Sequence, residues 1–259
     1  MNAVTKVGSF LWSVARRQGR ESDRKQSVAQ SLLAQHPGAE LAVTLDLVLA
    51  HYRQTHPDPC FLQIGAFDGV SNDVLYPLVR KYGLRGFLVE PQKDAFARLK
   101  ANYSDVPRLV FVNAALGSTD GTVPFYRIKP EAQGPQWLPQ IASFDKDVIM
   151  KHTSQVPGLE TLVQVESVPC MTFSSLYQKF GIDRIDLLQI DAEGYDAELL
   201  RLFDIPSRLP AIVRFEHKHL RLTDYENCVE ALMSAGYSVT VGGSEDTLAY
   251  RNPAGSPLC

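Results

Sequence analysis

Five clusters of polar residues each follow a short apolar stretch, and their types suit a ligand that carries positive charge and hydroxyl groups. Gly65-Ala66-Phe67-Asp68-Gly69 follows Phe61-Leu62-Gln63-Ile64, Glu90-Pro91 follows Phe87-Leu88-Val89, and Asn113-Ala114 follows residues 109–112. Asp191-Ala192-Glu193-Gly194 follows residues 185–190, and Glu216-His217-Lys218-His219 follows residues 211–215. In an open parallel sheet, ligands bind beyond the carboxyl ends of the strands. If the apolar stretches are strands, all five clusters share one rim. A glycine directly after the first strand lets the backbone turn tightly and come close to a ligand. The spacing of Gly65 and Gly69 is not the GxGxxG of a dinucleotide site, and Asp68 and Asp73 lie where a pyrophosphate would meet the next helix. Carboxylates there repel phosphate and suit the ammonium and sulfonium of S-adenosylmethionine, although both aspartates also fit as helix caps. Glu90, 21 residues beyond Gly69, is placed to accept hydrogen bonds from ribose hydroxyls.

If such a ligand gives its methyl group to a hydroxyl, a protein group must take the proton. The strand ends offer Asp191, Glu193, Glu216, His217 and His219. His217 is the leading candidate because an imidazole titrates near neutrality, with Glu216 orienting it and Asp191 on the same rim. Glu193 also fits as a first-turn residue of the following helix, and His219 as a residue outside the site. A divalent ion on Asp191, Glu216 and His217 is the alternative. It is placed behind metal-free chemistry because a sequence alone does not show these groups converging.

Positioning this rim requires alternating strands and helices. The pattern predicts strands over 61–64, 87–89 and 109–112, with helices over 71–82 and 93–103 between them. Strands over 123–128, 163–168, 185–190 and 211–215 follow. Helices are predicted over 172–180, capped by Thr172, over 195–203, and from a Thr223 cap to Ala235, stopped by Gly236. A closing hairpin over 237–241 and 248–251 completes an α/β domain with a mostly parallel central sheet and a C-terminal antiparallel hairpin. Residues 129–160, with Pro130, Pro135, Pro139 and Pro157 and little periodicity, read as a long loop acting as a mobile cover. Residues 1–57 form an expected helical extension, with N-terminal helices around Val4–Val14, around Val28–Leu33 and over 41–52. Residues 58–252 form the domain and 253–259 a loose tail.

The bulk numbers narrow the classes further. Of 259 residues, 45% are hydrophobic and 21% charged, with a net charge of -3, so a large core can be buried and no broad basic field points to nucleic acid. Cys60, Cys170, Cys228 and Cys259 form no CxxC pair, which fits reduced thiols and a cytoplasmic protein. No apolar run is long enough to insert stably in a membrane, and the state is a monomer or homodimer. An NAD-dependent oxidoreductase or epimerase is opposed by the missing GxGxxG and by the lack of a Tyr-x-x-x-Lys pair. A non-catalytic module that binds an adenosyl ligand is opposed by the complete set of polar strand ends.

At these residues the chain resembles the FkbM family of methyltransferases. The resemblance is carried by FLQIGAFDGVSND (61–73), FLVEP (87–91), VNAALG (112–117), ASFDKDVIMKH (142–152), IDLLQIDAEGYDAELL (185–200) and VRFEHKHL (213–220). It covers residues 58–252, and the IDAEGYDAELL stretch is its most specific part. Gln63 stands where many members carry an acid. The resemblance implies a class I methyltransferase Rossmann-like fold, with S-adenosylmethionine at the Gly65–Asp68 loop and Glu90 and with Asn113 and its neighbours near the adenine. Together with the strand-end reading, the expected cofactor residues are Gln63, Gly65, Ala66, Phe67, Asp68, Asp73, Glu90, Pro91, Asn113, Ala114, Asp191 and Ala192. The resemblance also implies O-methylation of a sugar, glycan or secondary metabolite.

Overall fold

The computed structural model describes residues 43–242 and 245–251. The first two expected N-terminal helices, the tip of the closing hairpin and the C-terminal tail lie outside these residues.

A seven-stranded sheet forms the centre, in the order β10-β11-β9-β8-β1-β2-β3. Its strands are β1 (Cys60–Ile64), β2 (Arg85–Val89), β3 (Leu109–Val112), β8 (Leu187–Ile190), β9 (Ile212–Glu216), β10 (Ser238–Gly242) and β11 (Asp246–Tyr250). All neighbouring pairs are parallel except those made by β11, which runs antiparallel to both β9 and β10. β1 and β8 are buried along their whole length, as expected for strands covered on both faces.

Helices α1 (Leu45–Tyr52), α2 (Leu75–Tyr82) and α3 (Lys93–Asn102) cover one face through Leu49, Tyr52, Leu75, Val79 and Leu99. Helices α6 (Phe173–Phe180), α7 (Asp196–Phe203) and α9 (Leu222–Ser234) cover the other through Phe173, Leu176, Leu199, Phe203 and Leu232. The third expected N-terminal helix is thus α1. Its Tyr52 hydroxyl donates to buried Asp186 at 2.6 Å, and the same carboxylate accepts from the Cys60 backbone N–H at 2.8 Å. This ties the helix to the start of β1.

Two helix starts differ from expectation. α2 begins at Leu75 rather than residue 71, because Phe67, Gly69 and Asn72 all take positive φ and spend residues 65–74 on a loop. α9 begins at Leu222 with Arg221 at its cap, so Thr223 lies inside the first turn. There Arg221 pairs instead with Asp224 at 2.7 Å.

The larger difference lies in the middle of the chain. The strands predicted near 123 and 163 do not join the central sheet. They pair antiparallel as β5 (Gly121–Ile128) and β7 (Val163–Met171), joined by β4 (Ala115–Leu116) and β6 (Ala142–Ser143) in a second, four-stranded sheet. Residues 129–160 are not patternless. They carry a short 3-10 turn, α4 (Lys146–Met150) and the start of α5 (Leu159–Leu162). Ile128, Leu138, Ile141, Ile149, Val156 and Leu159 close a small core of their own. Its spacing follows no single period because each short element contributes one or two residues.

The second sheet is fixed to the domain by an ion pair. The Arg127 side chain on β5, 5% exposed, meets Asp94 at the start of α3 at 2.5 Å and Glu166 on β7 at 3.2 Å. The Arg127 guanidinium holds the Asp94 carboxyl down at about 2, so the pair persists through the neutral range and is lost only as pH falls toward that value. We expect Arg127→Ala to cost on the order of 2 kcal/mol, below the ~3–5 kcal/mol typical of a broken buried pair. The carboxylates left behind are partly exposed and can be hydrated. Chemical denaturation would measure this, and an unchanged midpoint would contradict it.

Candidate active site

The strand ends of the central sheet and one edge of the second sheet enclose a cleft of about 840 Å³ including its mouth. Gly65 makes the turn at its base. It sits at φ +76, and a Cβ there would lie 1.7 Å from the Asp191 carbonyl oxygen. The loops after β1 and β8 therefore pass each other at backbone contact, which brings Ala66, Phe67, Asp191 and Ala192 to one wall.

Glu90, 2% exposed, ends β2. One carboxylate oxygen accepts the Phe67 N–H at 2.8 Å and the other the Gln92 N–H at 2.8 Å. Burial pushes this carboxyl up to about 7, against the pull of those two N–H groups. Asp73 accepts from the Gln63 amide at 3.0 Å and from the Leu75 N–H at 2.7 Å, so it caps α2 while still lining the cleft. Burial raises its carboxyl as well. Pro91 and Ala114 complete the wall beside Glu90, and Phe125, Ala142 and Phe144 from the second sheet face them.

The charge of this lining is one-sided. Asp73, Glu90, Asp191 and Glu193 line the cleft, and among the described residues no Lys, Arg or His does. Three amide oxygens at the cleft, those of Gln63, Gln92 and Gln189, are buried without a hydrogen-bond partner. Buried acceptors of this kind are uncommon. The cleft thus presents carboxyl groups and open acceptors with no cationic side chain among the described residues, the complement of a cationic ligand rich in N–H and O–H donors.

Two expected cofactor residues lie elsewhere. Asp68 turns back on its own loop, accepting from the Val70 and Ser71 N–H groups at 3.0 and 2.8 Å, and so serves as a loop cap. Asn113 donates to the Glu90 and Pro91 carbonyls at 2.8 and 3.1 Å, which positions the β2 end without lining the cleft.

The strand-end acids form a second group at the edge of this cleft. Glu193, at φ +47, points toward β9, where His219 Nε2 lies 3.1 Å from Glu193 Oε2 and 3.8 Å from Glu216 Oε1. Burial, followed by the nearby charges of Asp191, Glu193 and Asp196, raises the Glu216 carboxyl far above its ordinary value. Burial and the charges of Glu193 and Asp196 do the same to Asp191. His217 stands apart. The chain turns as it leaves β9, placing His217 Nδ1 3.0 Å from Thr247 Oγ1 and its ring against Tyr225, with centroids 5.1 Å apart. Of the three expected catalytic residues, only Asp191 lines the cleft.

The methyltransferase FkbM domain model matches residues 63–239, well over half of the chain. The chain belongs to the FkbM methyltransferase family. No curated protein matches it. A crystal structure of an FkbM methyltransferase from Methylobacillus flagellatus KT is similar at 14% identity with a TM-score of 0.48, over 88% of this chain and 59% of that one. The present chain therefore spans less than two thirds of that relative. An O-methyltransferase from Bacillus cereus in complex with SAH is similar at 11% identity and TM-score 0.39, over 90% of this chain and 92% of that one. A precorrin-6y C5,15-methyltransferase from Geobacter metallireducens GS-15 gives 13% and 0.38, over 83% and 92%. Family membership rests on the domain match.

In this FkbM member the cleft lining also includes residues that the polar strand ends do not reveal. Gln63 and Gln189 are in register on neighbouring strands, and Arg214 on β9 continues the row. Gln189 and Gln92 stand beside the expected residues with open amide oxygens. The signal for Gln189 was a lone amide inside an apolar strand, LLQI, matching FLQI in β1. Phe125 and Phe144 gave no such signal, because their place at the cleft depends on the second sheet.

Proposed function

We propose that this chain is an S-adenosylmethionine-dependent methyltransferase that O-methylates a hydroxyl of a sugar, glycan or secondary metabolite. The observation that carries the cofactor reading is the lining, four carboxylates and no cationic side chain. A dinucleotide would set two phosphates against those carboxylates at a helix start that Asp73 already caps. The residues present fit S-adenosylmethionine instead. Glu90 keeps lone pairs for the ribose hydroxyls, and the open amide oxygens of Gln63 and Gln189, with Asp73 and Asp191 beside them, suit its ammonium and sulfonium. When bound, the cofactor supplies an activated methyl group, which the acceptor oxygen takes as the carbon–sulfur bond breaks.

The protein's own tasks are then orientation, exclusion of water and removal of one proton. Phe125 and Phe144 supply an apolar wall opposite the strand ends. Asp191 is the strand-end acid that both lines the cleft and abuts the Gly65 turn, and we assign it the acceptor proton, with Glu216 and His217 behind it. The buried free thiols Cys60, Cys170 and Cys228 fit work in a reducing compartment such as the cytoplasm. Among the described residues no helix is long and apolar enough to cross a membrane.

Calorimetry with S-adenosylhomocysteine tests the cofactor reading. Binding should weaken by about 1–3 kcal/mol in Glu90→Ala, the scale of a hydrogen bond to a charged group. The ionised carboxylate is the form that accepts ribose hydroxyls, so affinity should rise with pH toward a plateau above about 7, the value to which burial lifts Glu90. Below that value it should fall by roughly tenfold per pH unit, as for binding coupled to one proton. Glu90→Gln should remove this slope. No binding to the wild type, or tighter binding of NAD, would overturn the reading.

A further inference from the structure

We propose that Glu193, Glu216 and His219 form a binding site for one divalent cation at the edge of the cofactor cleft, with Mn2+ or Zn2+ the fitting class. The inference deepens the O-methyltransferase reading and rests on it for the ion's role, though not for its binding. The three residues come from two neighbouring strand ends, and one donor atom from each lies within 4.8 Å of the others. That spread is small enough for a single ion to be reached with side-chain adjustments alone.

The second observation is the state of the donors. Glu216 is 8% exposed, yet its Oε2 accepts no hydrogen bond, and Glu193 Oε2 meets only the His219 ring nitrogen, 3.1 Å away. A buried carboxylate oxygen without a donor is costly. The nearby cationic side chains do not relieve it. Arg214 pairs with Asp246 at 2.6 Å, and Lys218 with Glu245 at 2.7 Å. Asp196, also fully buried, faces the backbone N–H groups of Ala192 and Gly194. A buried carboxylate, a half-buried one and an imidazole therefore converge, with neither Arg214 nor Lys218 paired to them. A divalent ion supplies both the charge and the partners that the open oxygens lack.

The ligand set narrows the ion. One imidazole nitrogen with two carboxylate oxygens is the chemistry of Mn2+, Fe2+ or Zn2+ more than of Ca2+ or Mg2+, which take oxygen donors. Three protein ligands leave positions open for outside oxygens. Glu193 belongs both to this trio and to the cleft lining, so the open side faces the space where the acceptor must lie. An ion there would bind an acceptor oxygen and make its hydroxyl more acidic. Acceptors able to offer two neighbouring oxygens, as vicinal diols do, fit this arrangement best. Asp191, outside the trio, is left free to take the proton.

Electron paramagnetic resonance of the full chain titrated with Mn2+ alone tests the site. One saturable Mn2+ per chain is expected, weakened by roughly tenfold or more in Glu216→Gln and in His219→Ala. Mn2+ should also raise the melting temperature of the wild type but not of these variants. The absence of saturable binding in the wild type would overturn the proposal, as would unchanged binding in both variants. Glu216→Gln keeps the side-chain shape, and a melting curve without metal confirms that it folds. S-adenosylhomocysteine calorimetry on the same samples separates the two readings. Loss of that binding with Mn2+ retained refutes the cofactor reading alone, and the reverse refutes the metal site alone.

Discussion

Among the described glycines, Gly65→Ala should be the most damaging substitution. The change places a Cβ 1.7 Å from the Asp191 carbonyl oxygen, and the residue stands at φ +76. Neither problem can be relieved by turning a side chain, because the obstacle is backbone. Separating the strands would break the hydrogen bond from the Asp191 N–H to the Ile64 carbonyl, 3.0 Å, at the centre of the sheet. Left-handed backbone strain and forced overlap each cost about 1–3 kcal/mol, so a loss on the order of 4 kcal/mol is expected. For a domain of this size that lowers the melting temperature by about 10 °C and abolishes S-adenosylhomocysteine binding. Gly83→Ala provides the control. Gly83 also has positive φ, +60, but nothing lies within 4 Å of its Cβ position, so only the strain of about 1–2 kcal/mol remains. Equal melting temperatures for the two variants would show that the close approach at Gly65 does not govern the site.

The parts of this fold that the sequence made readable are those where one period holds over a whole element. β1, β2, β3, β8 and β9 are short apolar runs ended by a glycine, a charge or, for β3, an asparagine, and the expected bounds of each lie within two residues of those found. Helices with a local stop signal, such as α6 between the Thr172 cap and Gly181, were placed equally well. Thr172 accepts from the Ser175 N–H at 3.1 Å. The second sheet was readable only in its long strands β5 and β7, expected over 123–128 and 163–168, and not as a separate sheet. Its β4 and β6 have two residues each, too short for any period, and its pairing reaches from Ala115 to Cys170. The site divides in the same way. Glu90 and Gly65 announce themselves by position after a strand. His219 does not, because its approach to Glu193 depends on the turn that follows β9, and nothing in EHKH (216–219) says which of its two imidazoles folds back.

That turn decides the second large effect. Asp191→Asn should lower kcat by roughly 100-fold or more, the usual scale for a lost general base, while His217→Ala should cost less than tenfold. Asp191 lines the cleft beside the Gly65 turn, whereas His217 lies against Thr247 and Tyr225. Imidazole chemistry favours the histidine, but a base must first come within hydrogen-bond reach of the proton it takes, and geometry decides here. The asparagine variant also carries its own folding control. Burial, and then the carboxylates of Glu193 and Asp196, disfavour a charge on Asp191, so a neutral amide of the same shape removes that cost. The melting temperature should hold or rise, and a loss of turnover then cannot be laid to unfolding. KM for the acceptor should move far less than kcat, since proton removal belongs to the transition state. The assay needs an acceptor, found by screening hydroxylated metabolites and glycans with labelled cofactor. A large loss in His217→Ala beside near-normal turnover in Asp191→Asn would return the proton to the histidine. It would also mean that the β9 turn rearranges when the acceptor binds.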